Sequence, residues 1–205
     1  MPVLLVWFEG TGTFDRFALK KSQSPRVTRA NTEKNLQTKL VLFDVDGVLT
    51  DGTLWIGPEG EAVKGFNAKD GVAVALLRKY GIATGIVSGK ASAALDFRVA
   101  QLNFDVAITG CHDKLGAINE WLADKDFGLE SVVFVGDDVI DVQIMQAVGS
   151  AYAPADAHAL AVQAAGHVTQ ASGGRGVARE VAEHVLLGQG LSLEEMYAGL
   201  FGAVQ

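Results

Sequence analysis

Leu40-Val41-Leu42-Phe43-Asp44-Val45-Asp46-Gly47-Val48-Leu49-Thr50 joins four apolar residues to a pair of carboxylates, and the reading of everything else follows from that junction. An apolar run with no polar alternation predicts a strand covered on both faces. Two carboxylates two residues apart, just where such a strand stops, are costly unless something compensates their charge. In a flat strand they would share one face, and Gly47 lets the backbone turn so that they can take different tasks. One can attack phosphorus while the other handles the proton of the leaving group. Taken alone, the pair reads first as a solvated acidic turn.

Outward from this stretch the pattern is regular from Lys39 onward. Short runs rich in Val and Ile recur at Ile82 to Val87, Val106 to Ile108, Val132 to Val135 and Ala151 to Ala153. Helical segments alternate with them, which predicts an α/β fold, a doubly wound parallel sheet with helices on both faces. The first helix is expected to start with Asp70 as N-cap, to carry Val72, Leu76 and Leu77 on one face, and to stop at Gly81. Others are expected over 91–101, 114–124, 139–148 and 157–165. One insertion breaks the rhythm: Thr53 to Ile56, then Gly57-Pro58-Glu59-Gly60, then Glu61 to Phe66. Turn chemistry between two extended runs predicts a β-hairpin, a flap at about 53–66 beside the strand ends. Residues 1–38 lack helical or strand period after Phe8 and read as an extension, with 39–190 the core and 191–205 a helical tail.

In a sheet of this kind ligands collect at the carboxyl ends of the strands. The run Val132 to Val135 enters Gly136-Asp137-Asp138, with Asp141 placed for the first turn of the next helix. By itself this is an N-cap with dipole-friendly acids. Together with Asp44 and Asp46 it gathers several carboxylates in one crevice, for which Mg²⁺ is the natural compensation. Ser88, after the second strand of the core, offers a hydroxyl and an N–H to a phosphoryl oxygen. Lys114, opening a helix, offers a fixed positive charge. Singly they read as a capping serine and a surface lysine. In this order, each after a different strand, they supply the positioning and charge neutralisation that phosphoryl transfer needs.

The bulk properties fit a small anionic substrate better than a polyanion. The 205 residues carry a net charge of −7, with 49% hydrophobic and 20% charged residues. An acidic surface argues against nucleic acid or an anionic membrane as partner. No apolar run approaches the ~20 residues of a membrane span, and Pro2 to Phe8 makes a poor signal peptide. The lone Cys111 cannot form an intrachain disulfide, which suits a reducing compartment. The expected location is cytoplasmic.

These segments resemble the haloacid dehalogenase superfamily, whose four motifs are matched by Asp44-Val45-Asp46-Gly47, Ser88, Lys114, and Gly136-Asp137-Asp138-Val139-Ile140-Asp141. The resemblance implies Asp44 as nucleophile and Asp46 as general acid and base. It implies Ser88 and Lys114 as phosphoryl-binding groups. Asp44, the backbone carbonyl of Asp46, and Asp137 would hold Mg²⁺, with Asp141 assisting. Asp46 to Gly52, Phe66 to Gly71, and Gly173-Gly174-Arg175-Gly176 with Arg179-Glu180-Val181 look more narrowly like the 3-deoxy-D-manno-octulosonate 8-phosphate phosphatases. These are members without a cap domain, in which flap and tetramerisation replace the cap. That likeness implies a homotetramer, a phosphorylated sugar acid as substrate, and a role in making the sugar acid of lipopolysaccharide. It brings in Lys90, Arg98, Arg175 and Asn67 as substrate-binding candidates. The family's usual Thr-Gly-Arg is Ser88-Gly89-Lys90 here, which keeps the charge but loses the bidentate fork. Lys90 leans toward the eight-carbon sugar acid, since relatives acting on nine-carbon acid 9-phosphates tend to be acidic there. Two readings from other classes are a phospho-receiver domain and a catalytically silent structural relative. The flap and the order of the acidic clusters argue against the receiver, and the full acidic set against the silent relative.

Overall fold

Leu40–Phe43 forms β1 with every residue buried. Its side chains alternate between two cores, Val41 and Phe43 on one face of the sheet and Leu40 and Leu42 on the other. A strand buried on both faces admits no polar residue until it ends, which is why the run is unbroken. These positions come from a computed structural model that describes residues 37–198 and 200.

After β1 the chain makes the hairpin β2 (Trp55–Gly57) and β3 (Gly60–Val63), then α1 (Ala68–Lys79), β4 (Ala83–Val87) and α2 (Ala93–Leu102). It continues through β5 (Val106–Ile108), α3 (Lys114–Leu122), β6 (Val132–Val135), α4 (Val142–Ala147) and β7 (Ser150–Ala153). It closes with α5 (Ala159–Ala164), β8 (His167–Val168), α6 (Val177–Gly188) and α7 (Leu193–Tyr197). Six strands form one sheet in the order β5-β4-β1-β6-β7-β8, and every neighbouring pair is parallel. The hairpin strands pair antiparallel in a sheet of their own. Helices α1 and α6 cover one face, while α3, α4 and α5 cover the other.

The order places the site. From β1 the chain builds outward through β4 and β5, then returns to the opposite side of β1 with β6. At that reversal the loops after neighbouring strands diverge and leave a crevice at the carboxyl edge. The ladder runs one residue past the strands there. Asp44 N–H donates to Val135 O at 2.9 Å, Ser88 N–H to Ile108 O at 2.8 Å, and Gly136 N–H to Tyr152 O at 3.1 Å. Asp44, Ser88 and Gly136 are thereby fixed at one level by the sheet itself.

Four details depart from the sequence reading. Asp70 is not the cap of α1. Asn67 takes that place, its extended backbone letting Oδ1 accept from Lys69 N–H at 3.0 Å. Asp70 lies in the first turn instead, buried against the start of α6. The single helix expected over 139–148 is a tight turn at Val139–Asp141 followed by α4, because Asp138 and Asp141 cap that turn reciprocally. Strand β8 and helix α6 were not anticipated. Of the expected N-terminal extension, residues 1–36 lie outside the described residues, as do 201–205 of the expected tail. Within that tail α7 docks through the fully buried Met196.

Candidate active site

The loop after β1 is shaped by three backbone facts. Asp44 leaves the strand extended, Gly47 takes φ of 88°, and Thr50 N–H closes the turn on Val45 O at 3.0 Å. Positive φ alone favours glycine at 47. A side chain there would also overlap the Asp137 carboxylate, so the position sets how closely the β1 and β6 loops approach. From the far side the loop is buttressed by Gly173 and Gly174. Gly174 N–H donates to Val48 O at 3.0 Å, and a Cβ on either glycine would collide with the backbone of residues 47–51.

The crevice holds one buried cation between carboxylates of two loops. Lys114, at the first position of α3, places Nζ 2.8 Å from Asp44 Oδ1 and 2.6 Å from Asp141 Oδ1. Asp141 Oδ2 accepts from the amides of Asp137 at 3.0 Å and Asp138 at 3.3 Å. The Asp141 carboxylate therefore organises the β6 loop and anchors the lysine at once. Asp137 stands opposite. Asp44, Asp137 and Asp141 can each offer an oxygen within 4.8 Å of the others.

Charge crowding is visible in the proton affinities. Burial, and then Asp44, Asp141 and Asp138, push the Asp137 carboxyl up to about 8. Burial and Asp141 push Asp44 up to about 6, against the pull of Lys114. Burial alone would lower Lys114, but Asp44 and Asp141 outweigh it and hold the ammonium above the ordinary lysine range. One lysine does not balance this set. Asp137 Oδ1 is buried with no hydrogen-bond partner, and an all-oxygen group of carboxylates suits a hard divalent cation. The residues present fit such an ion.

Asp46, on the same loop, turns away from the lysine of α3. Its Oδ1 lies 2.5 Å from Lys64 Nζ on the flap and accepts from Thr50 Oγ1 at 3.4 Å. Ser88 is buried at the end of β4, and its Oγ accepts from Lys90 N–H at 3.2 Å. Its own N–H, expected to face a phosphoryl oxygen, is instead spent on Ile108 O, so only the hydroxyl remains for that task. The structure thus brings Asp44, Asp137, Asp141 and Lys114 into mutual contact, with Asp46 and Ser88 on the flanking loops.

The four substrate-binding candidates are more dispersed. Lys90 is exposed, and its charge reaches Glu61 of the flap. Arg175 is exposed on the glycine loop, where its charge adds to the hydrogen bonds from Thr53 that chiefly favour ionised Asp51. Asn67 spends its side chain on the fold, capping α1 and donating from Nδ2 to Gly174 O at 3.1 Å. Arg98 sits on α2, over the Phe66 ring, bonded to Asn67 O at 3.2 Å and Gln101 Oε1 at 2.7 Å. It borders a hollow of about 440 Å³ with Lys64, Phe66 and Phe97. The sequence reading missed Lys64 and Glu61, since an isolated lysine on a hairpin carries no signal of its burial.

Comparison with known proteins follows the same lines. Residues 97–181 match the haloacid dehalogenase-like hydrolase family. The 3-deoxy-D-manno-octulosonate 8-phosphate phosphatase KdsC of Escherichia coli K12 is 39% identical over 152 residues, 74% of this chain and 81% of the relative. The cobalt-bound deoxy-D-mannose-octulosonate 8-phosphate phosphatase of Haemophilus influenzae superposes with a TM-score of 0.76 at 34% identity, covering 81% of this chain and 97% of that one. The phosphatase from Moraxella catarrhalis, in complex with magnesium ion, phosphate ion and 3-deoxy-D-manno-octulosonate (KDO), gives 0.73 at 29% identity, over 82% and 93%.

Proposed function

The chain belongs to the 3-deoxy-D-manno-octulosonate 8-phosphate phosphatases of the haloacid dehalogenase superfamily and is a phosphoric monoester hydrolase, and we propose that it converts KDO 8-phosphate to KDO and phosphate through an aspartyl-phosphate on Asp44. The observation that carries this is the convergence on Lys114 of Asp44 from the β1 loop and Asp141 from the β6 loop, with Asp137 within coordination reach.

In the first step an Asp44 carboxylate oxygen attacks phosphorus and the P–O bond to the sugar breaks. Asp46 gives its proton to the departing oxygen. In the second, water attacks the same phosphorus, Asp46 takes the water's proton, and the bond between phosphorus and Asp44 breaks. The net change is ester plus water to alcohol plus phosphate. Lys114 offsets equatorial oxygen charge in both steps, and Ser88 supplies its hydroxyl to the same oxygens, its N–H being held by Ile108 O. Asp44, Asp137 and the Asp46 carbonyl, with Asp141 behind them, would hold Mg²⁺, which when bound neutralises phosphoryl charge.

Lys90, Arg98 and Arg175 are the candidate partners of the sugar carboxylate, and Asn67 serves by fixing the glycine loop that carries Arg175. The test is a series of phosphate esters with Mg²⁺. KDO 8-phosphate should exceed sugar phosphates without a carboxylate by about 10-fold or more in kcat/KM, since an unsatisfied buried polar group costs about 1–3 kcal/mol. Equal turnover of the two sets would remove the substrate assignment, and preference for a nine-carbon ulosonic acid 9-phosphate would replace it.

The flap supports assembly. Trp55, Ile56 and Val63 on the hairpin are 58–68% exposed, and Phe97 beside it is 72% exposed, a cluster of large apolar side chains that water disfavours. A homotetramer built on this face fits the reading. Among the described residues no helix is long and apolar enough to cross a membrane. The lone Cys111 supports a reducing, cytoplasmic setting.

Metal binding should show in stability as well as rate. Asp137 at about 8 and Asp44 at about 6 lie above the ordinary 3.8, so the folded state holds protons that the unfolded chain releases. Without a cation, stability therefore falls as pH rises from about 4 to 8. A divalent ion stabilises the ionised cluster, so the rise in Tm on adding Mg²⁺ to chelator-treated protein should be larger at pH 8.5 than at pH 6. A rise independent of pH would mean that these carboxylates are not the ligands.

A further inference from the structure

Lys64 is a buried charge outside the Lys114 cluster. Its side chain is 0% exposed, although it follows a two-stranded hairpin whose Trp55, Ile56 and Val63 face solvent. Burying an ammonium on an exposed flap is costly unless it is paired. Lys64 is paired twice, 2.5 Å from Asp46 Oδ1 and 2.7 Å from Glu61 Oε1. Glu61 belongs to the flap itself, whereas Asp46 belongs to the loop after β1. The pair to Asp46 is therefore the polar link from flap to catalytic loop, across 18 residues of chain.

We propose that Lys64 is a positioning residue for the hydrolysis, holding the Asp46 carboxylate by Oδ1 so that Oδ2 is presented to the ester oxygen and then to water. The inference rests on the reading of Asp46 as proton donor and acceptor. Both contacts to Asp46, from Lys64 and from Thr50 Oγ1, fall on Oδ1. An aspartate on a loop at a positive-φ glycine otherwise has freedom about χ1, and proton transfer requires the carboxylate within hydrogen-bond reach of the substrate oxygen. Glu61 keeps the ammonium from following Asp46 outward, since it grips the same nitrogen from the flap. The arrangement also ties the position of the flap to the orientation of the acid, because the same ammonium contacts both.

The reaction contains a built-in discriminator. The sugar alkoxide of an alkyl phosphate is a poor leaving group and needs a proton, while p-nitrophenolate leaves without one. Since kcat/KM reports steps up to the first irreversible one, loss of Asp46 orientation lowers it selectively for the alkyl ester. In Lys64→Met, kcat/KM for KDO 8-phosphate should fall by about 100-fold and that for p-nitrophenyl phosphate by less than about 5-fold, against the 10²–10⁴-fold worth of general acid catalysis. The ratio is taken on one sample and so does not depend on the fraction folded. Lys64→Arg, which retains a cation for both carboxylates, should restore most of the ratio. If Lys64→Met does not fold, Lys64→Gln gives the same measurement. An unchanged ratio in either neutral variant overturns the role of Lys64. Absence of Mg²⁺-dependent turnover in the unmutated protein would instead overturn the hydrolase reading on which it rests.

Discussion

Asp44→Asn should lose at least about 10⁴-fold in kcat while remaining folded, because an amide cannot attack phosphorus and no neighbouring group can replace it. The position is demanding in both respects. Asp44 is buried, its amide is tied to Val135 O, and Lys114 lies 2.8 Å from Oδ1. A neutral isostere keeps the shape and an acceptor for Lys114, which also retains Asp141 at 2.6 Å. Burial and Asp141 push Asp44 up to about 6, so its ionised form costs the folded state stability at pH 8 when no cation is bound. In chelator, then, Asp44→Asn should melt no lower than the unmutated protein at pH 8, and the difference should shrink toward pH 5. Its response to Mg²⁺ should weaken because one ligand oxygen is lost. Acid-quenched samples should show acyl-phosphate on the unmutated protein and none on the variant. Retention of more than a few per cent of kcat would assign the nucleophile elsewhere.

How much of this was legible in the sequence depended on whether the signal was local. Strands β1 and β6 could be placed to the residue because a strand buried on both faces leaves an uninterrupted apolar run with polar residues at its ends. The edge strand β5, with Ala107 exposed, still showed the short apolar run Val106 to Ile108. The site residues that follow those strands were legible for the same reason, since the topology brings strand ends together. Helix α6 carries Val177, Val181 and Val185 at helical spacing, with Ala178, Ala182 and Leu186 beside them, so its pattern was present though unread. Asp70 illustrates a different limit. Asn67 and Asp70 are both fair caps by residue type, and the choice was made by Gly174, whose carbonyl takes the Asn67 amide, 107 residues away in sequence. Lys64 is the extreme case. Nothing near it predicts burial, which arises only when the flap folds back onto the Asp46 loop.

The second large effect belongs to Lys114, where stability and activity should separate. Lys114→Met removes the only ammonium bridging Asp44 and Asp141 among the described residues, in a setting already crowded by Asp137. Breaking a buried pair by deleting one partner typically costs about 3–5 kcal/mol, because the remaining charge stays desolvated. The loss should be near that size at pH 8 in chelator. Lys114 is the influence that draws both Asp44 and Asp137 downward, so without it burial and mutual repulsion raise them further. The folded variant then binds protons more readily than the unfolded chain across a wider range, and its stability should recover as pH falls from 8 toward 5.5. Mg²⁺ should recover part of it at constant pH. Activity should not follow. A fixed positive charge aimed at the phosphoryl oxygens is worth about 10²–10³-fold in rate, and neither protons nor metal restore it at that position. Lys114→Arg should be a poor substitute, since a planar guanidinium must fit where a compact ammonium now lies between two carboxylates and 5.9 Å from the Phe134 ring centroid. Thermal melts over pH with and without Mg²⁺, paired with initial rates, separate the two effects. A variant that melts with the unmutated protein at pH 8 in chelator and loses less than 10-fold in rate would show that this lysine is neither the keystone of the cluster nor a phosphoryl ligand.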